Sequence, residues 1–250
     1  MYYYIYDSFV QSKEMTKELA RIESRLLDFG IRDKVAKISP LRSVREAVSD
    51  AFKQKFDTII AVGGDPLVLE ILKYIIGYRF VLGVIPVGKQ TTIGSLFAMP
   101  AGSSACELVS ARKIQTFSVG KADNEFFFCS CNVFSGVSSF TVGGAFTVEC
   151  PRGALLSIVN CGTPPKKFGI KQANSQDGKF TITLLSEKKG FFAQKKQKEV
   201  SFWRSSLIEL HCEKDFVAGL DGVLVPKPIS SFQSLPNAVK CIVGKTILKP

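Results

Sequence analysis

The stretch Thr58-Ile59-Ile60-Ala61-Val62-Gly63-Gly64-Asp65-Pro66 decides the fold of this chain. An apolar run ends there in two glycines and an aspartate, and a helical pattern of apolar residues begins at once. A strand, a glycine-rich turn and a helix in this order bring backbone N–H groups and a helix N-terminus to a phosphate. Pro66 has no N–H to donate, although proline suits the first turn of a helix. The sequence therefore predicts a phosphate-binding scaffold that lacks one of its donors.

Apolar residues on either side of this stretch alternate between strand and helix spacing. The predicted strands cover residues 2–6, 34–38, 58–62 and 80–86, and the predicted helices cover residues 12–29, 44–52, 67–76, 91–97 and 104–111. Alternation at this spacing predicts βαβ units and a parallel sheet. Ligands of such sheets bind beyond the carboxyl ends of the strands, where Gly63-Gly64-Asp65 and Pro86-Val87-Gly88 lie.

After Gly120 the pattern changes to short β-rich runs separated by Gly, Pro, Asn and Lys. These runs cover residues 126–128, 140–142, 145–148, 155–159, 180–185, 207–210 and 239–243. Helical periodicity is nearly absent, which predicts an antiparallel, β-sandwich-like domain. We therefore expect an α/β nucleotide-binding domain over residues 1–116 and a β-rich substrate domain over residues 117–250.

The composition bounds the partners and the compartment. A net charge of +11 suits nucleic acid, nucleotide phosphates or an anionic membrane surface, and it also suits an ordinary solvated lysine surface. The seven cysteines include no Cys-x-x-Cys pair, which favours reduced thiols in a cytosolic protein. His211 has only Cys212 beside it, so no zinc site is predicted. No signal peptide and no run of about 18 apolar residues occurs, so we expect a cytoplasmic chain.

Five short motifs, in this order, resemble the diacylglycerol-kinase-like family, which includes bacterial lipid kinases and sphingosine kinases and shares its nucleotide-domain fold with NAD kinases. The family's G-G-D-G-T motif and the N-E that follows it correspond to residues 63–67 and 69–70, and its P-x-G-T-x-N-D motif corresponds to residues 86–92. Its D-x-G-K/R motif corresponds to residues 118–121, and its Asn strand with a later D-G corresponds to residues 158–160 and 177–178. Its late D-G-E corresponds to residues 221–223. The resemblance covers nearly the whole chain. It implies a cleft between the two domains and a chain end that packs back on the first domain.

The resemblance implies an ATP-dependent kinase that phosphorylates a lipid hydroxyl. ATP would lie on the Gly-Gly-Asp loop, carboxylates of both domains would hold Mg²⁺ through water, and the late Asp would activate the hydroxyl. Catalysis is thereby assigned to Asp221. Nucleotide binding is assigned to Gly63, Gly64, Asp65, Glu70, Gly88, Lys89, Thr91 and Thr92, and no residue is assigned as a direct metal ligand.

The departures from the family pattern fall on the parts that matter for catalysis. The Gly-Thr of the loop is Pro66-Leu67, the family Asp positions hold Thr92 and Ser118, and the late Glu position holds Val223. Loss of a general base alone costs about 10²–10⁴ in rate. The sequence therefore leaves two main functions: a lipid kinase with a degenerate site, or a nucleotide- or lipid-binding pseudokinase. An electrostatic nucleic-acid binder is a weaker third.

Several of these residues have a simpler structural interpretation. Asp65 would serve equally as the N-cap of its own helix, and Asp221-Gly222 would serve as a hairpin turn. Lysines around Phe191-Phe192 predict either a membrane-docking hairpin, with peripheral association at the inner membrane face, or a hairpin whose phenylalanines turn inward. Trp203 is expected in a strand core.

Overall fold

The computed structural model of the chain describes residues 1–89, 91–162, 177–188 and 197–244. Its contacts divide the chain into two compact units. Unit 1 comprises Met1–Phe117 and Ala238–Pro250, and unit 2 comprises Ser118–Asn237. Phe191 and Phe192 lie outside the described residues, so the membrane-docking hairpin stays a prediction. None of the described helices has the length and apolar character needed to cross a membrane.

Unit 1 is an alternating α/β unit, as its sequence periods predict. Its strands are β1 (Tyr2–Tyr6), β2 (Lys34–Lys37), β3 (Thr58–Gly63) and β4 (Val81–Pro86), and its helices are α1 (Thr16–Asp28), α2 (Val44–Lys53), α3 (Asp65–Ile75), α4 (Thr92–Leu96) and α5 (Ala105–Ala111). The strands pair in parallel in the order β2-β1-β3-β4. Lys240 and Cys241 add a further parallel pairing beside β4. The predicted parallel sheet is confirmed.

Burial explains why this unit forms a parallel sheet with flanking helices. Every residue of β3 and β4 is buried, as expected for parallel strands with both faces covered. Helix α3 buries an apolar face that comprises Leu67, Val68, Ile71, Leu72 and Ile75. Helix α2 begins with a capping box, in which Ser43 and Glu46 satisfy each other's backbone N–H groups.

Unit 2 is built from antiparallel strands. The strands are β5 (Ile114–Ala122), β6 (Glu125–Phe127), β7 (Ser130–Val142), β8 (Phe146–Glu149), β9 (Leu155–Val159), β10 (Phe180–Lys188), β11 (Gln197–Ser205), β12 (Leu207–Leu220), β13 (Val223–Val225) and β14 (Ser231–Ile242). They pair in the order β11-β10-β9-β7-β12-β14, and β6, β8 and β13 attach to β5, β7 and β12. Strands β5 and β14 contribute residues to both units. The predicted antiparallel pairing is confirmed, and sandwich-like layering stays a prediction.

One hydrophobic cluster fills unit 2. Its largest members are phenylalanines: Phe127 stacks on Phe180 and meets Phe232 edge to face. Trp203 packs edge to face on Phe140 at 5.4 Å between ring centroids, which confirms its expected place in a strand core. Strands β7 and β12 run over 13 and 14 residues, far beyond the short runs predicted for them. Their outward positions mix Ser, Thr and exposed Phe134, which hides the period-2 pattern.

Candidate functional site

The carboxyl ends of the strands of unit 1 bring the two predicted loop segments together. Strand β3 ends at Gly63, which pairs with Pro86 at the end of β4. The backbone N–H of Val87 donates to the carbonyl of Gly63 over 3.0 Å. The Gly-Gly-Asp turn and the Pro-Val-Gly turn are therefore neighbours at one edge of the sheet, where ligands of open α/β sheets bind.

Asp65 ties these two segments to each other. The backbone N–H of Thr92 donates to Oδ2 of Asp65 over 2.8 Å, and that of Ile93 donates to Oδ1 over 2.9 Å. The expectation that Asp65 caps its own helix is wrong, because the N-cap of α3 is Gly64 and Asp65 is its first helical residue. Asp65 instead caps the five-residue helix α4, whose N-cap Thr91 makes no side-chain cap bond. A negative charge is favourable at that helix terminus.

A second carboxylate, Asp7, lies beside the glycine turn and escaped the sequence interpretation. A Cβ placed on Gly63 would lie 2.7 Å from Cβ and 3.1 Å from Oδ2 of Asp7. The backbone N–H of Asp7 donates to the carbonyl of Val62 over 3.0 Å, which holds it level with the turn. Its position directly after β1 was the available signal, since the first strand ends at the same edge as β3.

The Pro-Val-Gly-Lys turn contributes two exposed residues, Gly88 and Lys89, to this edge. Gly88 is exposed and has a φ of +92°, a conformation that glycine adopts without strain. A Cβ there would also meet the ring of Phe9 at 3.0 Å. Lys89 is exposed and makes no ion pair with any residue that the structure describes. This turn therefore presents an exposed cation next to an exposed glycine, and the ring of Phe9 packs against one side of that glycine.

The other predicted nucleotide residues of unit 1 occupy less direct positions. Gly64 is buried at the start of α3, and Thr91 is half-buried at the start of α4. Glu70 lies exposed on α3, and its side chain makes no hydrogen bond or ion pair within the described part of the chain. The structure thus groups the predicted glycines, Asp65 and Thr92, and it leaves Glu70 apart from them.

Asp221 in unit 2 begins the tight turn between β12 and β13. Its φ is +49°, and Leu220 pairs with Val223 across the turn, so the hairpin interpretation is confirmed. Its carboxylate accepts three backbone N–H bonds, from Phe128 and Cys129 at 2.7 Å and from Ser130 at 2.9 Å. The carboxylate thereby fixes the connection between β6 and β7. Its role as a catalytic base stays a prediction.

Asn160 and Ser118 form a buried polar pair in the same unit. Asn160 is fully buried, and its Nδ2 donates to the carbonyls of Ser118 at 2.9 Å and Phe128 at 2.7 Å. Among the described residues, Oδ1 of Asn160 and Oγ of Ser118 have no hydrogen-bond partner. Buried polar atoms of this kind are normally satisfied by water or an ion. A serine at this position offers no carboxylate.

The thiol beside this region is not an activated nucleophile. Burial, and then the charge of Asp221, raise the pKa of Cys131 to about 12. A thiol with that pKa stays protonated at neutral pH, and the thiolate is the reactive form. Cys131 is buried in β7 and serves packing, whereas Cys129 is half-buried and lies in the connection just before that strand.

The residues present do not fit the Mg²⁺ site that the resemblance implies. Mg²⁺ is held by one or two carboxylates together with phosphate oxygens and water. Both oxygens of Asp65 and of Asp221 already accept backbone N–H bonds, and the two further family positions are Thr92 and Ser118. Within residues 1–89, 91–162, 177–188 and 197–244, no group of three or more His, Cys, Asp or Glu could hold a metal ion.

The fold and the glycine-rich edge define an α/β plus β protein, and comparisons with known proteins agree. A diacylglycerol kinase from Bacillus anthracis str. Sterne is 16% identical with a TM-score of 0.81, covering 99% of this chain and 98% of that one. Another structure from that organism, provisionally named as the same enzyme, is also 16% identical at a TM-score of 0.79, with the same coverage. At this identity the likeness shows the fold alone. No curated protein sequence matches the chain.

A family model identifies the first half of the chain more specifically. The model described as the diacylglycerol kinase catalytic domain matches residues 2–122. This part of the chain therefore belongs to the diacylglycerol kinase catalytic domain family, which confirms the resemblance drawn from its motifs.

Proposed function

We propose that this chain is a diacylglycerol-kinase-like protein that binds a nucleotide but does not transfer its phosphoryl group at an appreciable rate. One observation carries the proposal. The two aspartates that the resemblance assigns to the reaction, Asp65 and Asp221, both use their carboxylates to hold backbone N–H groups. Phosphoryl transfer depends on positioning and charge neutralisation, so carboxylates already engaged by the backbone supply little of either.

The residues around these aspartates support the same function. Val223 takes the place of the late family Glu, is 67% exposed and has no group that could accept a proton. Loss of one general base costs roughly 3–5 kcal/mol of barrier, and loss of metal-holding carboxylates adds to this cost without being additive. The catalysis that remains would be far below that of a working kinase.

Nucleotide binding is supported by what the carboxyl edge of unit 1 retains. Gly64 is the N-cap of α3, Gly88 is exposed, and Lys89 supplies an exposed positive charge. A lysine binds phosphate as a point charge and needs no metal to do so. Pro66, which offers no N–H, and the carboxylate of Asp7 both weaken the site. Because favourable and unfavourable groups lie at the same edge, we expect weak nucleotide binding that does not require Mg²⁺. A nucleotide cleft between the two units stays a prediction.

The alternative function is that of an active lipid kinase, which the family match supports. A direct assay separates the two: purified protein is incubated with labelled ATP, Mg²⁺ and mixed diacylglycerol and sphingoid lipids. We expect no incorporation of label into lipid. Labelled phospholipid that disappears in a folded Asp221→Asn variant would overturn the proposal.

A repair series provides the matched control. The variants Pro66→Gly and Val223→Glu, combined with Thr92→Asp, return groups that the family pattern contains at exposed positions. If the site is degenerate for the reason given, the combined variant transfers more label than the unmodified chain. An unmodified chain that already matches the repaired one would show that these positions do not limit the reaction.

A further inference from the structure

Two exposed aromatic side chains lie at the amino edge of the sheet of unit 1, opposite the glycine turn. Phe52, at the end of α2, is 58% exposed, and Tyr78, in the turn before β4, is 57% exposed. Their ring centroids are 5.7 Å apart in an edge-to-face arrangement. The pairing of Thr58 with Val81 places the turns before β3 and β4 side by side, which explains why two residues distant in sequence meet.

Three exposed cations adjoin these rings. Lys53 follows Phe52 in α2, Lys55 donates its backbone N–H to the carbonyl of Phe52 over 3.0 Å, and Arg79 follows Tyr78. None of the three cations forms an ion pair with a residue in the described part of the chain. We refer to Phe52, Lys53, Lys55, Tyr78 and Arg79 as the amino-edge patch.

The acidic residues near this patch are already paired with other cations. Asp50 on α2 bonds Arg42 at 2.7 Å, and Asp57 lies 3.9 Å from Arg112. Burial opposes the ionisation of Asp57, but the hydrogen bond from Thr58 and the neighbouring positive charges outweigh it and hold its pKa below the ordinary value. Their negative charges are balanced locally, so the patch cations remain uncompensated and attract an anionic partner.

We propose that the amino-edge patch docks unit 1 on a membrane surface that contains anionic phospholipid. Aromatic rings enter the headgroup region, while Lys and Arg stay in contact with the negative headgroups. The net charge of +11 adds a general attraction to the same surface. The interaction needs exposed apolar area and uncompensated cations together, and the patch supplies both.

The arrangement of the rings favours a membrane over nucleic acid. Single-stranded nucleic acid binds proteins by stacking its bases on open aromatic faces. Phe52 contacts two rings at once, Tyr78 at 5.7 Å and Phe80 at 6.3 Å, both edge to face. Such a packed cluster offers apolar area for insertion among lipid headgroups, and no pair of parallel faces between which a base could be held.

This docking mode is compatible with the proposed function and independent of it. The patch lies where β3 and β4 begin, whereas Gly63 and Gly88 lie where these strands end. A membrane at the amino edge therefore leaves the carboxyl edge of unit 1 open to a water-soluble nucleotide. ATP binding should be unchanged in patch variants, so failure of one proposal does not resemble failure of the other.

The test is co-sedimentation of the full chain with vesicles of phosphatidylcholine, with and without phosphatidylglycerol. A cation near such a surface changes partitioning by about fivefold, so Lys53→Gln/Lys55→Gln/Arg79→Gln should weaken binding to the anionic vesicles about 100-fold. The matched control is Lys13→Gln/Lys17→Gln/Lys37→Gln, which removes three exposed cations outside the patch. We expect this control to lose far less affinity.

A second pair of variants tests the aromatic contribution. Phe52→Ser/Tyr78→Ser should also weaken vesicle binding, whereas Leu41→Ser, at a residue that is 96% exposed and outside the patch, should not. Equal loss in the patch and control variants would overturn the proposal. So would loss of binding only in Phe191→Ser/Phe192→Ser, or binding to labelled single-stranded DNA in the absence of any binding to vesicles.

Discussion

Asp65 in unit 1 and Asp221 in unit 2 are the two aspartates that the resemblance assigns to the reaction, and their surroundings differ. Asp65 accepts two backbone N–H bonds at an edge of the sheet that also carries the exposed residues Gly88 and Lys89. Asp221 accepts three, next to phenylalanine-rich strands and the buried Asn160. Both hold neighbouring backbone in place, but only the first does so beside groups that could still receive a phosphate.

The difference teaches that an aspartate can be needed for the fold whether or not it takes part in a reaction. A carboxylate that satisfies orphan N–H groups is kept because removing it leaves those donors unpaired. The fold alone is therefore a sufficient reason for both aspartates, whereas Pro66, Thr92 and Val223 stand where the resemblance implies residues that serve catalysis.

The largest expected effect is at Asp221. Replacement by Ala removes the acceptor of three N–H groups. It also places at positive φ a residue whose side chain cannot form the local hydrogen bonds that allow Asp and Asn to adopt this conformation. We expect a loss of about 3–5 kcal/mol in the unfolding free energy, since buried unpaired donors cost about 1–3 kcal/mol each and the losses are not additive. Urea unfolding followed by fluorescence of Trp203 measures it.

A conservative variant separates the structural role from a purely catalytic one. Asp221→Asn keeps one acceptor oxygen and tolerates the left-handed backbone, so it should lose about half as much stability as the Ala variant. Equal stability of all three proteins would show that the carboxylate is not a structural tie, and the comparison would fail.

Asn160 tests the polar core beside Asp221. Asn160→Ala leaves the carbonyls of Ser118 and Phe128 without the donor that Nδ2 provides, and it opens a small cavity. We expect a loss of about 2–4 kcal/mol, from one or two unmade hydrogen bonds and the lost packing. Thermal unfolding monitors it, with the exposed Asn124→Ala as the control, which should change little.

A smaller effect is expected at Asp65, because the helix that it caps, α4, has only five residues. Asp65→Ala removes the cap of α4 and should cost about 1–2 kcal/mol, the usual range for a lost N-cap. Hydrogen exchange of the Thr92 and Ile93 amides should accelerate, while amides of unit 2 stay unchanged. Unchanged exchange at these two amides would contradict the tie between the two segments.

Asp123 adds a pH-dependent contrast within unit 2. Burial alone would raise the pKa of Asp123, but hydrogen bonds from Ser230 and Ser231 outweigh it and hold that pKa below its ordinary value. Its stabilising contribution is therefore full above about pH 4 and is lost as the pH falls through the folded-state pKa. The stability difference between the unmodified chain and Asp123→Asn should shrink below about pH 4. A stability difference between the two proteins that stays constant from pH 7 to pH 3 would show that the ionised carboxylate of Asp123 does not stabilise the fold.

The sequence predicts the architecture of unit 1 closely, because each strand and helix there has a clear period and a clear stop signal. It predicts unit 2 only in kind, since β7 and β12 mix polar and apolar outward residues and the β5 strand begins in Ile114-Gln115-Thr116, which carries no alternation. The carboxyl edge was predictable from strand ends.

The partners of the two aspartates were not predictable in the same way. Asp65 reaches an amide 27 residues away in the chain, and Asp221 reaches one 93 residues away. Such contacts depend on how loops meet, which no local pattern encodes. Asp7 was missed because one residue after a strand gives no motif, only a position.

Titration of ATP into the protein by calorimetry, with and without Mg²⁺, tests the central claim most directly. With Lys89 as the charge that meets the phosphates, and with Asp65 and Asp221 engaged by backbone N–H groups, we expect weak binding that Mg²⁺ changes by less than about tenfold, or about 1.4 kcal/mol. Lys89→Ala should abolish it. Tight binding that appears only with Mg²⁺ would contradict the account, because it would require carboxylates that are free to hold the metal, whereas those of Asp65 and Asp221 hold backbone N–H groups.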